Sequence, residues 1–126
     1  MKSPLNQVLG LGSAKEGPSH WWSQRVTAVA LVPLGLWFVL ALPGLDLGAH
    51  AELVAWIRDP LTAVLLCLFV GCVTYHSWLG IQVVVEDYVG GKSAKIVVLL
   101  LSAFAHAFLL AACLYSILKI GFGTAP

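Results

Sequence analysis

The chain has 126 residues, 60% of them hydrophobic and 10% charged, with a mean hydropathy of +0.91 and a formal net charge of +1. A soluble domain carries about 25% charged residues, so this composition excludes an ordinary water-soluble fold and points to a chain that lives in a bilayer. The net charge says nothing about partners, and no nucleic-acid partner is expected.

Residues 1–19, rich in Gly and Ser, are expected to form a cytoplasmic N-terminal arm. The arm has neither a long apolar run nor an Arg-rich amphipathic pattern, so neither a signal peptide nor a transit peptide is expected. Insertion then falls to the first spanning helix. Three charge-free stretches follow, at 26–45, 60–85 and 96–118, each matching the roughly 20 residues that a helix needs to cross the hydrocarbon core. No stretch alternates polar and apolar residues over a strand length, which argues against a barrel. The fold class predicted is an all-α membrane protein. Its three transmembrane helices, over about 24–45, 60–88 and 94–120, form one anchor domain from 20 to 126. Lys2, Lys15, Arg25, Lys92 and Lys95 fall on one side of these spans, against Arg58 and Lys119 on the other. By the positive-inside rule the N-terminus is cytoplasmic and the C-terminus lies outside.

HWWSQR at 20–25 places two indoles and a guanidinium at the entrance of the first spanning helix, where amphipathic rings suit the headgroup region. Pro33 removes a backbone bond to Val29 and is expected to kink that helix, and PG at 43–44 ends it. Between Asp46 and Asp59, HAELVAWIRD can form a short interfacial helix with Leu53, Trp56 and Ile57 on one side. Asp59 before Pro60 is a cap and first-turn pair that starts the second spanning helix. GGKSAK at 90–95 is a turn, with Ser93 as the expected cap of the third. Cys67, Cys72 and Cys113 fall inside apolar helices without a CxxC or CxxCH pattern and are expected to be packing residues. There is no internal repeat.

The chemistry concentrates in HSWLGIQVVVEDYV at 76–89. His76 stands about ten residues, or ~15 Å, from Glu86 and so near the bilayer centre. An ionisable ring at that depth needs a partner, which is either a cross-helix hydrogen bond or a bound cofactor such as haem iron. Gly80, Val83 and Asp87 share its face, and the bare surface at Gly80 admits either a close helix or the flat edge of a macrocycle. Glu86, Asp87 and Tyr88 come where the helix leaves the hydrocarbon. Such groups are either solvated helix-end residues, or a phenol and an acid suited to a lipid-soluble quinone head. His106 reaches about the same depth as His76. It serves either a cross-helix hydrogen bond or partner contact, or a haem held by this chain alone.

HWWSQRVTAVALVPLGLWF at 20–38, together with the pattern H-x-x-x-G and the D-Y pair eleven and twelve residues beyond the histidine, resembles the small hydrophobic membrane anchor of bacterial succinate dehydrogenase (complex II), above all its proteobacterial form. The likeness covers most of the chain, although the third spanning helix matches only in being apolar. The resemblance implies that His76 is one axial ligand of haem b, binding its iron, with the other ligand supplied by a companion cytochrome b anchor. It implies that Tyr88 hydrogen-bonds ubiquinone, that Asp87 supports that site, and that Arg25 and His20 lie near the haem propionates or the quinone pocket. The implied partners are that cytochrome b anchor, with which the chain packs into a larger helix bundle, the iron-sulfur protein and the flavoprotein of the same complex, and membrane lipid. The implied place is the bacterial inner membrane, and the chain alone is not catalytic. The sequence leaves two rival readings: the anchor of a quinol:fumarate reductase, and part of a small transporter or channel in which His76 and His106 line a polar path.

Overall fold

The protein, seen in a computed structural model, is described over residues 16–123. Among the described residues there are four α-helices: α1 (Glu16–Ala41), α2 (His50–Arg58), α3 (Pro60–Tyr88) and α4 (Lys92–Phe122). A single 3-10 turn at Leu42–Gly44 follows α1, and there is no strand among the described residues. Helices α1, α3 and α4 are each long and apolar enough to cross a membrane. The all-α, three-span architecture is therefore the one expected.

The boundaries follow local chemistry. Helix α3 begins where the Asp-Pro pair predicts: the Asp59 carboxylate accepts the Thr62 N–H at 2.9 Å and the Thr62 hydroxyl at 3.0 Å. These bonds favour the ionised acid and hold the Asp59 carboxyl below its ordinary value. Helix α1 starts at Glu16, about two turns before the expected 24. Pro18 in the first turn costs no hydrogen bond, so the helix extends beyond the hydrocarbon through HWWSQR. Residues 16–19 of the expected arm thus belong to α1, and its first fifteen residues, with Lys2 and Lys15, lie outside the described residues. Helix α1 runs through Pro33 without a break. It ends at Ala41, and the 3-10 turn carries the chain on to Gly44.

One expected cap is corrected. Helix α4 is preceded by Gly91 at φ +85, with no side-chain cap, and starts at Lys92, so Ser93 lies inside the first turn. The positive φ that glycine tolerates lets the chain turn two residues earlier. Lys95 Nζ then reaches back to the Glu86 carbonyl at 2.8 Å, satisfying an acceptor in the last turn of α3. At the other end, Arg58 donates to the carbonyls of Ile120 (3.2 Å) and Gly123 (2.7 Å), which ties α2 to the end of α4. Trp56 of α2 stacks on Trp37 of α1 at 5.9 Å.

Helix α3 is the centre of the molecule, with α1 on one seam and α4 on another. Pairs along both seams run in opposite senses, so the chain goes up, down and up. Few apolar side chains are buried: Leu66, Leu79, Val85 and Ile117. Large apolar residues such as Val29, Val32, Leu101, Phe104 and Phe108 face outward. That is the inverse of a soluble protein and suits a surrounding of lipid and other helices.

Candidate functional site

Three pairings mark the α1–α3 seam. His20 Nε2 meets the Gln82 side-chain carbonyl at 3.2 Å. Gln24 Nε2 lies over Gly80, 3.7 Å from where a Cβ would stand. The Thr27 hydroxyl meets His76 Nδ1 at 2.9 Å. Ascending numbers in α1 thus meet descending numbers in α3, the register of an antiparallel pair. His20, Gln24 and Thr27 stand at i, i+4 and i+7, which is one stripe of α1. These polar groups of α1 therefore face His76, Gly80 and Gln82 of α3 along a single seam.

His76 lies about 24 Å along the axis from Pro60 and ~18 Å from Tyr88, close to mid-span. Its ring is half-buried. Thr27 engages Nδ1, whereas Nε2 has no hydrogen bond among the described residues. The Oε1 of Gln24 is the one buried side-chain nitrogen or oxygen lacking a partner among the described residues. Of the two readings of Gly80, the space beside it takes the α1 helix through Gln24. The cross-helix hydrogen bond at Nδ1 leaves Nε2 without a partner among the described residues, because the two are different atoms of the ring.

His20, Gln24, Gln82, Glu86 and Trp21 line a cleft of about 640 Å³ where α1 begins and α3 ends. Arg25 is exposed, with its guanidinium over the Trp21 ring at 5.4 Å. It makes no ion pair among the described residues. Tyr88 is 84% exposed and ends α3, with Asp87 exposed beside it. Neither lines the cleft. The structure brings His20 to α3, at a level between His76 and Tyr88, and leaves Arg25, Asp87 and Tyr88 on the surface, free to meet something outside the chain.

His106 is occupied on both nitrogens. Its Nδ1 donates to the Ser102 carbonyl at 2.7 Å, since a carbonyl can only accept. Nε2 is then the acceptor, and it takes the Ser77 hydroxyl at 3.2 Å. The imidazole is satisfied on both nitrogens, within α4 through Ser102 and across the α3–α4 seam through Ser77, and the second bond is the cross-helix role. His76 and His106 are engaged on different seams of α3 and do not line a common path. Ser77→Ala is expected to lower stability by roughly 0.6–1.7 kcal/mol, the range for hydrogen bonds between membrane helices. Unfolding in mixed micelles checks this, and the visible spectrum of the assembled protein should not change.

No three metal-ligating side chains come together among the described residues. A lone imidazole with an open nitrogen suits an iron whose other in-plane ligands arrive with a porphyrin. The residues present fit one axial side of such a group. Thr27, Gln24 and Gln82 escaped the sequence reading. The available signal was the stripe of three polar residues at helical spacing in α1.

The fold defines a small integral membrane protein with three long apolar helices, outward-facing apolar side chains and a histidine near the middle of its second span. Residues 1–117 match the family described as the succinate dehydrogenase/fumarate reductase transmembrane subunit. The chain is 31% identical, over 96% of its length and 93% of the relative's, to the succinate dehydrogenase hydrophobic membrane anchor subunit of Paracoccus denitrificans. It is 34% identical to the like-named subunit of Rickettsia bellii, over 94% of this chain and 87% of that one. The like-named subunit of Rickettsia conorii is 32% identical over 70% of this chain and 71% of its own. No solved structure matches. The chain belongs to the family of succinate dehydrogenase and fumarate reductase transmembrane subunits.

Proposed function

We propose that this chain is the hydrophobic membrane anchor of a succinate dehydrogenase, holding one side of haem b through His76 and one side of a ubiquinone-reduction site through Tyr88 and Asp87. The observation that carries the reading is the half-buried mid-span imidazole whose Nε2 is unbonded among the described residues. Family membership over nearly the whole chain supports it. Bound there, haem b supplies a one-electron carrier in the low-dielectric part of the bundle.

The roles of the chain's own residues follow from placement. His76 would hold the haem iron through Nε2, and a cytochrome b anchor would supply the other protein ligand. Arg25, an exposed cation near the start of α1, is available to a propionate or to the quinone pocket. His20 fixes the Gln82 side of the cleft between the two sites. Tyr88 donates its phenolic hydrogen to a quinone carbonyl, and Asp87 helps move the protons that quinol formation requires. Iron-sulfur and flavoprotein partners deliver electrons from succinate to that end of α3, so the Tyr88 end faces the cytoplasm of a bacterial inner membrane. Arg25, Lys92 and Lys95 at this end, against Arg58 and Lys119 at the other, support that orientation.

The test is isolation of the assembly in mild detergent from cells that carry a tagged copy of the chain. A red complex of four different polypeptides that reduces ubiquinone with succinate is expected. A pigment-free chain isolated without succinate-oxidising partners overturns the reading.

A further inference from the structure

The bond between Thr27 and His76 determines which imidazole nitrogen is free. The Thr27 hydroxyl has one hydrogen and three neighbours: the carbonyls of Ser23 at 2.8 Å and Gln24 at 3.0 Å, and His76 Nδ1 at 2.9 Å. Two arrangements are possible for a neutral ring. In one, the hydroxyl gives its hydrogen to Nδ1. That makes a single bond and leaves an N–H on Nε2, a donor without a partner among the described residues at mid-membrane. In the other, the hydroxyl gives its hydrogen to a helix carbonyl, the usual back-bond of a helical threonine, and its oxygen accepts Nδ1–H. That makes two bonds and leaves Nε2 with a lone pair. The second arrangement gains a hydrogen bond and avoids an unsatisfied donor in an apolar surrounding, where such a donor is most costly.

We propose that Thr27 is the positioning residue for His76, setting the Nδ1–H tautomer and the ring direction so that Nε2 is presented for ligation. The inference rests on the haem reading above. A hydrogen bond on the distal nitrogen of a ligating imidazole raises its basicity and restrains its rotation. Electron donation from the ring favours Fe(III) over Fe(II), so loss of the acceptor should raise the haem midpoint potential.

The experiment compares Thr27→Val, Thr27→Ala and Thr27→Ser in the assembled complex, by redox titration and by the low-spin electron paramagnetic resonance signal. Valine nearly conserves volume, alanine cannot overpack, and serine keeps the hydroxyl. Both hydroxyl-free variants should shift the Fe(III)/Fe(II) equilibrium toward Fe(II) by up to about tenfold, an upward move of as much as ~59 mV for one electron, and should broaden or displace the low-spin signal. Serine should restore both. Unchanged potential and signal in the valine and alanine variants overturn the proposal. So does a serine variant that shifts as far as they do, or failure of both hydroxyl-free complexes to assemble, which would make the hydroxyl a folding element. His76→Ala separates this from the haem reading: if that variant keeps the wild-type low-spin spectrum, His76 is not the ligand, whatever Thr27 does.

Discussion

In the purified complex, His76→Ala is expected to abolish the six-coordinate low-spin haem spectrum. Alteration of a group that merely supports a metal ligand costs roughly 10–100-fold in metal affinity, so loss of the ligand itself should cost at least as much. Any haem that remains should be high-spin, with one axial position no longer filled by this chain. The geometry gives the prediction specificity, because the other mid-span imidazole cannot take over cheaply. Both nitrogens of His106 are committed, to Ser102 and Ser77, on a different seam of α3. Succinate oxidation with a soluble artificial acceptor should continue, since the proposed function assigns that chemistry to soluble partners and not to this chain. A His76→Ala complex with an unaltered low-spin spectrum would refute the ligand assignment.

The spans of this protein are legible because their signals are long and redundant. Some 20 consecutive apolar residues admit few alternatives in a bilayer, and the Asp59–Pro60 pair marks the start of α3 with two bonds to Thr62. The start of α1 is less legible, since hydropathy stops at the edge of the hydrocarbon whereas the backbone bonds of a helix do not. Ser93 misleads for a related reason: a serine near a helix start competes with a glycine that can turn the chain sooner. His76 stands out as the lone histidine of its span. Its partner does not, because Thr27 is weakly polar and ordinary in a membrane helix, and its importance depends on the register of α1 against α3. Ser77, which looks isolated in the sequence, meets His106 once α3 and α4 are paired, whereas the Ser102 carbonyl lies one turn back on α4 itself. A single sequence carries the inventory of polar groups, but the alignment of helices decides which of them meet.

Tyr88→Phe should separate quinone chemistry from haem binding. The phenol lies about 18 Å along α3 from His76 and is 84% exposed. It makes no hydrogen bond among the described residues, so removing its oxygen should cost the fold almost nothing. Its effect should appear only where the exposed hydroxyl meets a substrate. As a quinone carbonyl gains electrons, negative charge builds on its oxygen, and a fixed donor stabilises that charge more than it stabilises the neutral carbonyl. Loss of one such donor typically lowers turnover by ~10²–10³-fold in an enclosed site. At the more open end of α3 a fall of about tenfold to a hundredfold in succinate-driven ubiquinone reduction is expected. The haem spectrum should be that of the wild type, and electron transfer from succinate to a soluble dye should be unimpaired. Because phenylalanine keeps the ring, packing against a neighbouring protein is retained and the missing hydrogen bond is isolated as the cause. Wild-type ubiquinone reduction in the Tyr88→Phe complex would place the quinone head elsewhere. Equal loss with quinone and with dye would instead locate the defect in the docking of the soluble partners at this end of α3.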